Sequence, residues 1–147
     1  MKSEPDEFGI DDLAQRPRKT EPWTGVRNHQ ARNFMREMRK GDRVFIYHSS
    51  CEVSGIAGLA EVSREAFPDP TQFDPRSDYY DPRSKTDTPR WFCVEVKFKR
   101  KLKRVITLAE IRAQSRRLDG LILLRPGNRL SVLPVEKAHW GFILGLE

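Results

Sequence analysis

Cysteine, histidine and long apolar runs are what this chain has least of. Two cysteines, Cys51 and Cys93, are too few for a disulfide framework, so free and buried thiols are expected. The three histidines are scattered and, with the two cysteines, show no metal-ligand spacing, which argues against a zinc site. No run of about 18 apolar residues exists, so no membrane span is expected, and the charged, proline-containing start lacks the apolar stretch of a signal peptide. The expected compartment is the cytoplasm of a bacterium, or the nucleus in a eukaryote. No internal repeat is visible, and no cofactor is expected.

What is present favours one folded domain spanning 1–147. The 147 residues suffice for a single core, and eight Phe, three Tyr and three Trp are too many for a disordered tail. Twenty-seven Lys and Arg against 21 Asp and Glu leave a net charge of +6, a surplus that suits polyanions, of which nucleic acid is the commonest.

Periodicity outlines the elements. Ile10 to Ala14 reads as a helical turn and Arg16 to Pro22 as a loop. Ala31, Phe34, Met35 and Met38 recur at helical spacing between Asn28 and Lys40, with Arg32, Arg36 and Arg39 on a separate flank and Gly41 as the stop. Val44 to His48 and Gly55 to Val62 read as two antiparallel strands. Phe67 to Arg90, punctuated by Pro68, Pro70, Pro75, Pro82 and Pro89, reads as a long loop whose aromatics pack it down. Phe92, Val94, Val96 and Phe98 alternate as a half-buried strand continuing to Arg104. Thr107 and Glu110 form a capping box for a short helix. Leu130 to Leu133 reads as a final strand, and Pro134 opens a last helix with Val135, Ala138, Phe142, Ile143 and Leu146 on its apolar side. A small mixed α/β sheet curled toward a barrel is the expected architecture.

Three short segments concentrate the chemistry: Lys2-Ser3-Glu4-Pro5, Trp23-Thr24-Gly25-Val26-Arg27-Asn28 and Phe45-Ile46-Tyr47-His48-Ser49. They combine aromatic faces, compact polar groups and permanent cations, the kit that stacks a flat heterocycle and hydrogen-bonds its edge.

These segments, with Gln30-Ala31-Arg32-Asn33-Phe34, Gly55-Ile56-Ala57-Gly58, Asp74-Pro75-Arg76-Ser77, Tyr80-Asp81-Pro82, Pro89-Arg90-Trp91 and Arg129-Leu130-Ser131-Val132, resemble the EVE domain family in order and along the whole chain. The resemblance implies a PUA-like pseudo-β-barrel with flanking helices, related to YTH and ASCH domains. It also implies a non-enzymatic pocket that reads modified bases in DNA or RNA: methylated or hydroxymethylated cytosine, or methyladenine. The chain departs from the family pattern at His29, where Tyr is common, and at Ser50, where Asn is common. It also has a short segment ahead of the Lys2-Ser3 motif, so the first strand is expected to be short.

The expected base-binding set is Ser3, Glu4, Trp23, Asn28, Tyr47, His48, Ser49 and Trp91. Trp23 is the main stacking wall and Tyr47 the second; Ser3, Asn28, His48 and Ser49 read the edge, and Glu4 accepts from an exocyclic amine. Trp91 is placed at the pocket or under the long loop. Lys2, Arg27 and Arg129 are expected to meet phosphate, while Lys97 to Arg104 and the Arg32, Arg36, Arg39 flank are candidate backbone tracks. Competing readings stay open for each residue: a core Trp23, a structural His48, solvated or capping polar groups. The expected partner is nucleic acid, bound by a monomer with no membrane role. The main alternative is a protein-interaction module using the Pro/Asp-rich loop. A catalytic pair from Cys51 and His48 lacks an orienting third group, the adjacent carboxylates of Asp11 and Asp12 diverge, and neither is expected.

Overall fold

Two long, repeatedly bulged strands give the chain its shape. The computed structural model describes residues 1–147. Its strands are β1 (Lys2–Ser3), β2 (Thr20–Pro22), β3 (Arg43–His48), β4 (Gly55–Pro68) and β5 (Phe92–Thr107). Its helices are α1 (Ile10–Gln15), α2 (His29–Glu37), α3 (Leu108–Ala113) and α4 (Lys137–Leu144), with short 3-10 turns between. The sheet order is β1-β3-β4-β5-β2, with β1 parallel to β3 and the other pairs antiparallel. No helix is long and apolar enough to cross a membrane.

The β4 and β5 ladder changes register between Ile56 and Gly58, Leu59 and Ala60, Val62 and Arg64, and Arg64 and Phe67. Each irregularity adds local twist and bends the strand. The sheet therefore curls until its two edge strands come near each other, so that Lys2 and Ser3 of β1 line the same cavity as Glu21 and Pro22 of β2. This is the mixed α/β, PUA-like arrangement expected.

Strand alternation sorts the side chains into two cores. Val44, Ile46, Val62, Val94 and Val96 pack with Ile10, Leu13, Ala31 and Met35 of α1 and α2. Phe45, Tyr47, Ile56, Leu102 and Ile106 pack with Ile111, Trp140 and Ile143 of α3 and α4. Each fully buried branched or aromatic residue contributes about 1.5–3 kcal/mol of transfer free energy.

Local signals account for the element ends. Asn28 caps α2 by accepting from the Ala31 N–H, and Thr107 with Glu110 forms the anticipated capping box of α3. Ser50 sits at φ 53°, a left-handed conformation in which Asn is enriched among non-glycine residues.

Several boundaries differ from expectation. Arg16 to Pro22, expected to be a loop, ends in β2, where Thr20 to Pro22 pair with Lys97 to Glu95, and β5 runs past Arg104 to Thr107. α2 stops at Glu37 because Met38 is already extended, so Arg39 leaves the helical flank. β4 runs past Val62 to Pro68, since its bulges let pairing continue. Leu130 to Leu133 is not a strand, although the Lys2 N–H donates to the Ser131 carbonyl. α4 begins at Lys137, three positions beyond Pro134, and buries His139, Trp140 and Ile143 while Ala138 is exposed.

The Pro-rich segment is tied down from within. Gln72 is fully buried; its amide donates to the Asp69 and Trp91 carbonyls, and its oxygen accepts from Ser84 Oγ and the Arg90 and Trp91 N–H groups.

Candidate base-binding cavity

A cavity of about 650 Å³ lies at the seam between the sheet edges, within the size range of small-ligand sites. It collects Lys2, Ser3 and Glu4 from β1 and its exit, Trp23, Gly25, Arg27 and Asn28 from the segment after β2, and Ser49, Tyr79 and Arg129 from three separate loops. Of the eleven residues expected at the site, eight meet here and three do not.

Trp23 belongs to both core and cavity. It is only 7% exposed, its backbone N–H donates to the Val94 carbonyl, and Phe8 meets its ring edge-on at 5.9 Å. The indole is thus a largely buried wall, not the accessible one expected from its place after a polar loop. Truncation to Ala would remove core packing worth about 3–5 kcal/mol, so that substitution cannot test binding without testing stability.

A further aromatic lining the cavity is Tyr79, which sequence reasoning placed only in the long loop. Its exposed ring lies against Gly25, whose φ of +87° leaves no room or favourable conformation for a side chain. The one signal for this pairing was Gly25, two positions after Trp23: an aromatic ring can approach a bare backbone closely.

Polar groups converge between these walls. Ser3 holds Ser49 through its carbonyl, which accepts the Ser49 N–H at 2.9 Å, yet the Ser3 hydroxyl itself is buried without any partner. Asn28 spends its Oδ1 on the helix cap, which leaves its amide NH2 available. The carboxylates of Glu4 and the neighbouring Glu7 line the cavity, and neither forms an ion pair. Arg129 is exposed at the rim and free of ion pairs. Lys2, half-buried, leans over the Tyr47 ring at 5.6 Å, and burial lowers its pKa.

Tyr47, His48 and Trp91 lie elsewhere. Tyr47 faces the second core, across the sheet from Ile46, and burial raises its pKa. His48 faces α1, where its Nε2 accepts the Ile10 N–H at 3.1 Å; burial lowers its pKa. Trp91 is buried beneath His29, stacked at 4.7 Å, and donates from Nε1 to Asp81 at 2.7 Å. That hydrogen bond is the main cause of the lowered Asp81 pKa. Trp91 therefore anchors the long loop, the alternative raised for it.

Arg27 borders the cavity, but its guanidinium is occupied. Nε and Nη2 donate to the Tyr79 carbonyl, Nη1 to the Val26 carbonyl and Asp69, and Nη2 also to Thr71. All five N–H groups are accounted for, so the phosphate role expected of it has no donor left. It instead holds Tyr79 in place.

Other chemistry has little support in the geometry. The Cys51 thiol donates to the Val53 carbonyl while His48 Nε2 is engaged with Ile10; Asp11 pairs with Lys101 and Asp12 accepts from Gly9. Burial pushes the Cys93 thiol up to about 12, away from nucleophilic use. No cluster of His, Cys, Asp and Glu could hold a metal. A second cavity of about 480 Å³, between Phe45, Tyr47, Trp140 and the end of α2, is mainly apolar; it includes Trp140, whose indole N–H is also buried without a partner, and only Lys2 and Tyr47 of the expected set.

Comparison with known proteins gives a consistent picture. The EVE domain family model matches residues 1–146. Human thymocyte nuclear protein 1 is 43% identical over 162 residues, covering 100% of this chain and 72% of that protein. A crystal structure from Pseudomonas putida is 46% identical with a TM-score of 0.95, covering 99% of this chain and 96% of that one. The human THYN1 protein in complex with DNA containing 5-methylcytosine superimposes with a TM-score of 0.95 at 42% identity, covering 99% of this chain and 94% of that one.

Proposed function

The chain belongs to the EVE domain family, and we propose that it is a non-catalytic DNA-binding module that takes one modified cytosine into the cavity between Trp23 and Tyr79. The observation that carries this reading is the cavity lining, which gathers Ser3, Glu4, Trp23, Asn28, Tyr79 and Arg129 and includes a Ser3 hydroxyl that is shielded from solvent and has no partner. A native fold rarely leaves such a group unpaired, and a base edge would complete it. The human relative in complex with 5-methylcytosine DNA favours DNA over RNA and cytosine over adenine.

Each lining group has a role on this reading. Tyr79 and Trp23 flank the base, and stacking on the exposed Tyr79 ring is worth about 1–3 kcal/mol. Ser3 and the Asn28 amide meet the Watson–Crick edge. Glu4 accepts from the exocyclic amine, which cytosine has and thymine lacks, so a carboxylate at the cavity of a polyanion-binding protein has a use. Lys2 and Arg129 meet phosphates at the rim. Ser49 positions Ser3.

The energetics make it a modest reader. A methyl group in an apolar niche gives about 1–3 kcal/mol of discrimination, and flipping a base from a duplex costs a few kcal/mol. Single strands, mismatches and damaged sites are therefore the favoured contexts.

Fluorescence anisotropy with labelled single strands tests this. Each carries one central cytosine, 5-methylcytosine, 5-hydroxymethylcytosine, N6-methyladenine or thymine, in DNA and in RNA. A modified cytosine in DNA is expected to bind about tenfold more tightly than cytosine, as ~1.4 kcal/mol implies, and thymine weakest. Equal affinity across the panel would overturn the reading, and a preference for methyladenine or RNA would redirect it.

A further inference from the structure

The two basic tracks visible in the sequence are electrostatically different in the fold. Along β5, Lys99 pairs with Glu61 at 3.6 Å, Arg100 with Glu147 at 2.8 Å, Lys101 with Asp11 at 2.9 Å and Arg104 with Glu110 at 2.8 Å. Four of its six cations already have a carboxylate, so the run is an internal ion-pair ladder and its field is largely cancelled.

The α2 flank is the reverse. Arg36 is exposed, lies over the Phe92 ring at 4.3 Å, and makes neither an ion pair nor a hydrogen bond through its guanidinium. One turn earlier Arg32 lies over Trp91 at 5.8 Å, held by the Asn33 side chain and the Arg90 carbonyl, again without a carboxylate. Arg90 is nearby, and burial, together with the mutual repulsion of these cations, depresses the Arg32 pKa. Like charges four apart on a helix destabilise it. Arg90 has Asp81 at 3.2 Å, whereas neither Arg32 nor Arg36 has a carboxylate partner.

Stacking on an aromatic ring fixes a guanidinium plane while leaving its free N–H groups outward, the presentation that recognises phosphate oxygens with least loss of side-chain freedom. Arg36 keeps all five donors for this, and Arg32 keeps two beyond those given to Asn33 and Arg90. The flank also begins at the cavity. Asn28, in the cavity lining, caps α2; Arg32 and Arg36 follow one and two turns later, about 6 and 12 Å along the axis at 1.5 Å per residue.

We infer that the nucleic-acid strand leaves the cavity beside Asn28 and lays successive phosphates along α2 over Arg32 and Arg36, and that the β5 run takes no part. This rests on the base-reading proposal for the choice of strand, but it makes a separate claim about where the backbone runs.

The test is the salt dependence of binding to a labelled single strand with one 5-methylcytosine, for the intact chain, Arg36→Gln, the Arg32→Gln/Arg36→Gln pair, and Lys101→Gln as a matched loss of one positive charge. The slope of log affinity against log salt should fall by about 0.7 for each single-strand phosphate that a variant no longer neutralises. It should fall in the two arginine variants and stay at the wild-type value in Lys101→Gln. Preference for methylated over unmethylated strands should be the same in all four proteins. A wild-type slope in a folded double variant, checked by thermal melting, would overturn the track, as would an equal fall in Lys101→Gln. An intact chain with no methyl preference would instead sink the base-reading proposal, leaving the track to be judged on the slopes. No binding at all would sink both.

Discussion

Gly25 and Tyr79 are locked by a backbone-to-ring contact: a Cβ on Gly25 would fall 2.7 Å from two carbons of the Tyr79 ring. Gly25→Ala is therefore expected to do two things. It forces an L side chain to φ +87°, at a cost of about 1–2 kcal/mol, and it drives Tyr79 off the cavity. Thermal melting should show a fall of about 2–4 °C per kcal/mol for a chain near this size, and oligonucleotide affinity should drop as well. Adding Tyr79→Ala should restore part of the lost stability but not the affinity, because the clash is relieved while the wall is gone. Additive stability losses in the pair would mean that the two residues are not coupled.

The Ser3 hydroxyl separates function from folding. Because it is buried with no hydrogen-bond partner, Ser3→Ala removes a desolvated group and breaks no bond. Stability should be unchanged or rise by up to about 1 kcal/mol. If the hydroxyl meets a base edge, affinity for a modified cytosine should fall about fivefold, the worth of one net hydrogen bond. Calorimetric melting and anisotropy on the same preparation give both values. A clear loss of stability would show that the hydroxyl is structurally engaged.

Most of the fold was legible because its signals are local. The alternation of Phe92 to Phe98, the Thr107–Glu110 box and the apolar spacing of α2 each depend on residues a few positions apart. The site was only half legible, for a geometric reason. Ser3, Glu4, Trp23 and Asn28 lie in two short segments that the sheet edges bring together. Tyr79 reaches the cavity from a proline-rich segment, 52 positions from the Arg27 that holds it, and no periodicity forecasts such a closure. Tyr47 was misplaced by composition: an aromatic beside a His and a Ser looks like a binding wall, but strand alternation puts it in the second core with Phe45. The basic run of β5 misled because sequence shows cations without their partners, and Glu61, Asp11 and Glu147 come from distant positions.

His48 should make the docking of α1 sensitive to pH. Its Nε2 accepts the Ile10 N–H, so it needs a lone pair there and a neutral ring. Burial holds the folded pKa below the ordinary 6.5. A depressed folded pKa means that the contribution is complete above pH 6.5 and is lost as pH falls through the folded value. Urea denaturation from about pH 7.5 down to about 5 should show stability declining below about 6.5. His48→Gln, which keeps an acceptor near the same point but does not titrate, should decline less steeply over that window, the remaining slope coming from the buried Met1 amino group, whose pKa burial lowers to about 5. A parallel decline in the variant would assign the effect to another group.

Arg27 and Asp69 form the tether on which the cavity wall depends. Asp69 is fully buried; its carboxylate accepts the Gly25 N–H at 2.8 Å and an Arg27 Nη1 donor at 3.1 Å, while its other oxygen takes the Thr71 N–H and hydroxyl. Removing the cation leaves a buried carboxylate without its partner, so Arg27→Ala should destabilise the fold by about 3–5 kcal/mol. Arg27→Lys keeps the charge but offers one ammonium where the guanidinium serves Tyr79, Val26, Asp69 and Thr71 together, so it too should melt earlier, and it should loosen Tyr79. Because no Arg27 donor is free for phosphate, the salt slope of Arg27→Lys should match the intact chain even as its overall affinity falls. A lowered slope in a variant that keeps full stability would return Arg27 to the phosphate-binding set.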